Sequence, residues 1–317
     1  MHRDYLPMNA AALMDRVFDL YKATFKTQIA FALIIGIISF MLIMTLSIVL
    51  AFGVVYVYSI AGGSYDYDNY IIMVVLLIFA IILPPYIIWM YLSASGHILI
   101  SKQAFYNQPV ELPFRDTFNA LLRVLTSAIA QLLLTLPWLI LMAVVIYFSV
   151  GDGFAFLGSL HPFYITIIGL AFTIFYVVYS NIFALSIPVA IFEKRLFLST
   201  VTRSFELLKG YFWKILGLRL LWALIVYLFS YSTQSLIVTV IAVISMITGN
   251  LIDLGALWIN TGTLQFYIAL LVGILMGPMD GIMTALIYFN QKIKKEGLDI
   301  EISLERLAGT RGQGAQL

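Results

Sequence analysis

The sequence predicts an all-α polytopic integral membrane protein. It should have six transmembrane helices in three parallel hairpin repeats, each led by a cytoplasmic interfacial amphipathic helix. Composition is the first observation behind this. Of 317 residues, 62% are hydrophobic and 11% charged, more apolar surface than a soluble domain of this length could hide. The second is the spacing of charge: no Asp, Glu, Lys or Arg occurs in 27–65, 69–101, 124–151, 153–192, 220–252 or 254–279. A span needs about 20 apolar residues, so each run holds one helix. The third is asymmetry. All 18 Lys and Arg residues fall at the first end, in the second and fourth connections, in the tail, or just inside that face. The first, third and fifth connections carry only Asp66, Asp68, Asp152 and Asp253. By the positive-inside rule both termini are expected in the cytoplasm.

Taken in order, Asn9 is the expected N-cap of an interfacial helix over 10–25, followed by helix one over 28–59. A short outer turn leads to helix two over 70–96, where Pro84-Pro85 predicts a kink. Residues 97–121 are expected to return along the cytoplasmic face, with Phe114–Arg123 starting a second interfacial element. Helices three and four are placed at 124–150 and 163–192, helix five at 211–247, an outer loop at Thr248–Gly262 and helix six at 263–290. The first apolar run follows a charged amphipathic stretch and is too long for a signal-peptide core, so no cleavable leader is expected. The chain has no Cys. Disulfides, thiolate metal sites, a Cys nucleophile and palmitoylation are therefore excluded.

The segment Ser199–Lys214 carries much of the mid-chain charge. As a helix it aligns Val201, Phe205, Leu208 and Phe212 on one stripe, and Arg203, Glu206 and Lys209 on another where opposite charges can pair. It is too short to span and should lie in the interface, handing over to a spanning helix near Gly210. Arg16, Asp19 and Lys22 repeat the charge spacing at the N-terminus, with Phe18 matching Phe205 and Phe25 matching Phe212. Phe118 is the third anchor; in its copy Asn119 replaces the acid and Leu122 the Lys. All copies enter from one side, which makes them parallel repeats about an axis along the membrane normal. The expected divisions are 1–108, 109–197 and 198–302, with a disordered tail over 303–317.

The run from Glu193 through Thr202-Arg203-Ser204-Phe205-Glu206-Leu207-Leu208-Lys209-Gly210-Tyr211-Phe212-Trp213-Lys214 resembles a motif of a bacterial multi-pass family. That family is labelled the glycerophosphoryl diester phosphodiesterase membrane domain. Leu286-Ile287-Tyr288-Phe289, followed by Ile293-Lys294-Lys295-Glu296-Gly297-Leu298-Asp299, is similar to its C-terminal signature. The resemblance covers 180–302, and the first half by architecture only. It implies the membrane unit without the soluble phosphodiesterase domain that follows it in some relatives, so the family label does not by itself assign an enzymatic activity.

Few residues offer chemistry. His2, His97 and His161 lie too far apart in the expected topology to converge on a metal, and no glycine pattern cradles phosphate. No cofactor and no nucleic acid partner is expected. Arg219 and Asp280 are the two charges well inside expected spans, at similar depth on helices five and six. A structural ion pair is the leading reading and a substrate or proton site the alternative. Ser232 and Gln234, within Ser230–Ser235, read as interhelical hydrogen-bonding residues, and Asn181 is a further polar candidate in helix four. The leading functional expectation is a non-enzymatic module that assembles with, anchors or regulates partner proteins or local lipid. A transporter or exporter with a cavity near Arg219 and Asp280 is the alternative, and a lipid-acting enzyme a weaker one.

Overall fold

The structure is a computed structural model and describes residues 7–60, 67–150, 162–248, 254–298 and 300. Every regular element among them is helical. In chain order these are α1 (Ala10–Ile60), α2 (Tyr67–Phe105), α3 (Phe114–Val150), α4 (Pro162–Ser180), a 3-10 turn (Asn181–Phe183), α5 (Ser186–Phe192), α6 (Leu198–Leu208), α7 (Phe212–Thr248) and α8 (Leu254–Glu296). Five stretches among the described residues are long and apolar enough to cross a membrane: Ala10–Val54, Phe114–Trp138, Gly169–Phe192, Phe212–Ile244 and Leu271–Glu296. The protein is a membrane protein on that ground. The outer-loop residues Asp66, Asp152 and Asp253, the histidines His2 and His161, and the tail over 303–317 lie outside the described residues.

Asn9 caps α1 as expected: its Oδ1 accepts from the Ala12 backbone N–H at 2.8 Å. The expected handover to a separate span does not occur there. α1 runs unbroken for 51 residues, about 76 Å at 1.5 Å per residue. α3 likewise runs from Phe114 straight through Arg123 into its apolar stretch. Only the third copy breaks, between α6 and α7, where Gly210 takes φ +87°. Aligned on their anchors Phe18, Phe118 and Phe205, the first two copies have Ala23 and Arg123 where the third has Gly210. A residue with Cβ disfavours that backbone, so those two copies stay helical.

Other boundaries also moved. α2 passes through Pro84 and Pro85 and continues to Phe105, so 97–105 is helix and not a returning loop. α8 begins at Leu254, which makes Leu254–Gly262 helical as well. Expected helix four is in fact divided. Pro188 is the third residue of α5 and has no N–H to give Ala184, and a 3-10 turn and a short connection separate α4 from α5 just before it.

The chain forms two compact units. Unit 1 comprises Met1–Val17, Leu122–Ala269 and Met283–Leu317; unit 2 comprises Phe18–Leu121 and Leu270–Ile282. In unit 1, Ala130, Phe183 and Val201 form an apolar cluster with Leu134, Tyr179 and Ile182 packed against it. In unit 2, Phe31, Ile35 and Ile100 form another, joined by Trp89, Leu92, Val110 and Phe114. Two glycines permit close helix approach in unit 2. A Cβ on Gly96 would stand 2.0 Å from the Phe31 ring, and one on Gly281 would stand 2.5 Å from His97 Cβ. His97 itself is 4% exposed, and its Nδ1 lies 2.6 Å from Gln28 Oε1.

Candidate functional site

Two polar clusters in unit 1 gather the residues with chemical potential. One is built on the division between α4 and α5. Unwound backbone at membrane depth must find partners, because hydrocarbon offers none. Here α6 supplies them: Ser204 Oγ accepts from the Leu185 N–H at 3.1 Å and donates to the Ile182 carbonyl at 2.7 Å. Ser186 Oγ donates to the Phe183 carbonyl at 2.7 Å and accepts from Gln131 Nε2 of α3 at 2.6 Å. One turn earlier on α3, Ser127 Oγ accepts from Thr200 Oγ1 at 2.9 Å. Arg219 of α7 donates Nη1 to Asn181 Oδ1 at 3.3 Å. Asn181 is 1% exposed, and its Nδ2 is buried without a hydrogen-bond partner among the described residues.

The second cluster ties the α5 end to α6 and α8. Arg203 of α6 is bound by three carboxylates. Its Nε donates to Glu193 Oε2 at 2.9 Å, its Nη1 to Glu206 Oε2 at 3.4 Å, and its Nη2 to Glu296 Oε1. Glu193 also pairs with Arg195 at 3.2 Å and accepts from the Tyr288 hydroxyl at 3.1 Å. The Arg203 and Glu193 side chains are 17% and 12% exposed. Partial burial pulls the Arg203 pKa down, but hydrogen bonds to Glu193 and Glu296 and their charges outweigh it, so the net shift is upward. Lys295 Nζ donates to the Glu206 and Lys209 carbonyls, the latter at 2.7 Å, and so caps the C-terminal end of α6. Asn290 and Lys294 bind the Met8 carbonyl at 3.1 and 2.9 Å, holding the segment before α1 in the same unit. Lys194 and Phe197, in the connection that lets Glu193 meet Arg203, have φ of +54° and +51°.

The sequence-derived candidates are distributed unevenly over these clusters. Arg203 and Glu206 meet as their spacing predicts, whereas Lys209 is exposed and contributes its carbonyl. The expected apolar stripe on α6 is rotated. Its buried face is Thr200, Val201, Ser204, Leu207 and Leu208, while Phe205 is 48% exposed. The reason is that α6 packs on the α4–α5 division, which draws Thr200 and Ser204 inward for hydrogen bonding. Phe18 and Phe118 are also exposed, at 40% and 57%. In all three copies the residue before the anchor is buried (Val17, Thr117, Ser204), as is the residue two beyond it (Leu20, Ala120, Leu207). Asp19 and Lys22 are exposed and Arg16 is half-buried.

Asn181 and Arg219 meet, while Asp280 is exposed on α8 within unit 2. Ser232 is exposed and Gln234 half-buried. Their neighbours Ser230 and Thr233 donate to the Val226 and Phe229 carbonyls of their own helix. An open groove of about 520 Å³ runs along this part of α7, lined by Tyr231, Ser232, Ser235, Leu236, Thr239 and Val240. Among the described residues no group of three His, Asp or Glu could hold a metal.

Sequence reasoning missed Gln131, Ser127, Thr200, Ser186 and Ser204. The available signal was Ser127 and Gln131, two polar residues at i, i+4 in a charge-free run. Comparison with protein-family models, curated proteins and solved structures finds no match for the chain.

Proposed function

We propose that the chain is a six-span protein of the bacterial cytoplasmic membrane with both termini in the cytoplasm, and that it is a non-enzymatic module that assembles with, anchors or regulates partner proteins or local lipid. α2 is the sixth span on this reading, since its charge-free run over 69–101 falls within the range of the others in length and is as apolar. Three parallel hairpin repeats are supported by the burial pattern that recurs at Phe18, Phe118 and Phe205. Kinship with the membrane domain named above is supported by its motif residues Glu193, Arg203, Tyr288 and Glu296, which meet in one cluster. That cluster is the observation that carries the functional reading. Its charged groups are engaged with one another and with helix ends, as in a structural clasp.

The test is purification in mild detergent from cells carrying the tag at either terminus. A module of this kind retains the same partner at fixed stoichiometry from both tags, and a variant that opens the clasp loses it. Solute flux in proteoliposomes holding this protein alone would contradict the reading. A second reading, a transporter with a pathway at Arg219, is favoured by one observation: the buried Asn181 Nδ2 without a partner beside a divided membrane helix. Divided helices line substrate sites in several transporter folds.

A further inference from the structure

We propose that the turn between α6 and α7 is a docking surface for the headgroups of anionic phospholipids. This deepens the membrane-module reading and rests on it. The turn comprises Lys209, Gly210 and Tyr211, between the end of α6 at Leu208 and the start of α7 at Phe212. Four lysines gather around it. Lys294 and Lys214 bring their ammonium groups to 5.2 and 5.8 Å from the centre of one ring, Tyr211. Lys295 Nζ sits 2.7 Å from the carbonyl of Lys209.

The acids nearby offset this group only in part: three carboxylates against Arg203 and Arg195 leave one negative charge facing four lysines. Glu193, Glu206 and Glu296 all bind Arg203. Lys294 and Lys295 donate to uncharged backbone carbonyls. Lys209 and Lys214 are exposed and have no carboxylate in ion-pair range among the described residues. Excess positive charge is therefore held at one turn, at the entry of a spanning helix.

The apolar side of the surface identifies the occupant. Trp213 is 71% exposed and Phe205 48% exposed, flanking the turn on either side. Leu198 lies two turns before Phe205 on the same outward row and is 44% exposed. A soluble anion would need the cations but not these side chains. An anionic lipid needs both: phosphate against the lysines, and acyl chains against Trp213 and Phe205. Each lysine near a charged leaflet favours binding about fivefold, an effect that salt weakens.

The experiment uses the full chain in vesicles containing bromine-labelled phosphatidylcholine or bromine-labelled phosphatidylglycerol at equal fractions. The difference between the native protein and Trp213→Phe isolates the fluorescence of Trp213. Phosphatidylglycerol should quench it more strongly than phosphatidylcholine. Lys209→Gln with Lys214→Gln should remove the excess but leave quenching by phosphatidylcholine, and Lys209→Arg with Lys214→Arg should restore it. Equal quenching by the two lipids in the native protein, or an excess that survives the double Gln variant, would overturn the proposal while leaving the membrane reading intact. Loss of the excess on adding inorganic phosphate, but not on adding chloride to the same ionic strength, would assign the surface to a soluble anion and overturn it as well. No quenching by either lipid would overturn the proposal too, because Trp213 would then lie away from the bilayer.

Discussion

Arg203 is held by carboxylates from three stretches of chain, the α5 end, its own helix and the end of α8. Removing it leaves Glu193 and Glu296 close together without a shared cation. Arg203→Ala should cost about 2–4 kcal/mol, less than a fully buried pair because water still reaches the group. Arg203→Lys should recover only part, since an ammonium cannot reproduce the forked contact with Glu193 and Glu296. Thermal unfolding in detergent measures both, and an Arg203→Ala protein as stable as the native one would show that the clasp bears no load. Arg219 invites a similar comparison. A charged hydrogen bond to a buried amide contributes about 1.5–3 kcal/mol, so the Arg219–Asn181 double-mutant cycle should show coupling of at least about 0.5 kcal/mol. If Arg219 pairs with Asp280 away from water, as the sequence argument has it, Asp280→Ala should cost about 3–5 kcal/mol and an apolar double variant should recover much of it. Coupling below about 0.5 kcal/mol would reject that pair.

Gly210 decides where a helix ends. Nothing lies within 4 Å of where its Cβ would stand, so Gly210→Ala meets no clash and its cost is backbone alone. That cost should be about 1–2 kcal/mol, from holding φ +87° with a side chain. Gly281→Ala is different in kind. Its Cβ would meet His97 Cβ at 2.5 Å with His97 backbone just behind, so α2 would have to shift, at about 1–3 kcal/mol. Comparing the two variants by unfolding separates conformational from packing cost; equal stability of Gly281→Ala and the native protein would mean that the two helices can part freely. Spanning runs were legible in the sequence because hydrocarbon tolerates few charges, and that rule acts on composition alone. Helix interruptions were less legible. Gly210 was readable as a break, but Ala23 and Arg123 needed the alignment of copies before their continuity made sense. Pro188 was visible in the sequence, yet prolines inside α2, α3 and α8 divide no helix, and the division beside Pro188 depends on Ser204 and Gln131 being placed to satisfy the freed groups.

At the scale of the molecule, the membrane class follows from five long apolar helices among the described residues. The outward face of α6 was not legible, because periodicity marks which residues share a face but not which of two faces meets protein. Thr200 and Ser204 are polar by composition and buried in fact, while Phe205 is apolar and exposed. Only the neighbouring division of α4 and α5 explains that choice. The six-span arrangement with both termini inside underlies every functional argument above, including the lysines at the α6–α7 turn. It can be tested without background labelling because the chain contains no Cys. Single cysteines are placed at 65, 152, 253 and 310, and intact cells are exposed to a membrane-impermeant thiol reagent. The account predicts labelling at the first three positions and none at 310 until the membrane is opened. Labelling of position 310 from outside, or protection of any of the other three in intact cells with reaction after lysis, would contradict it.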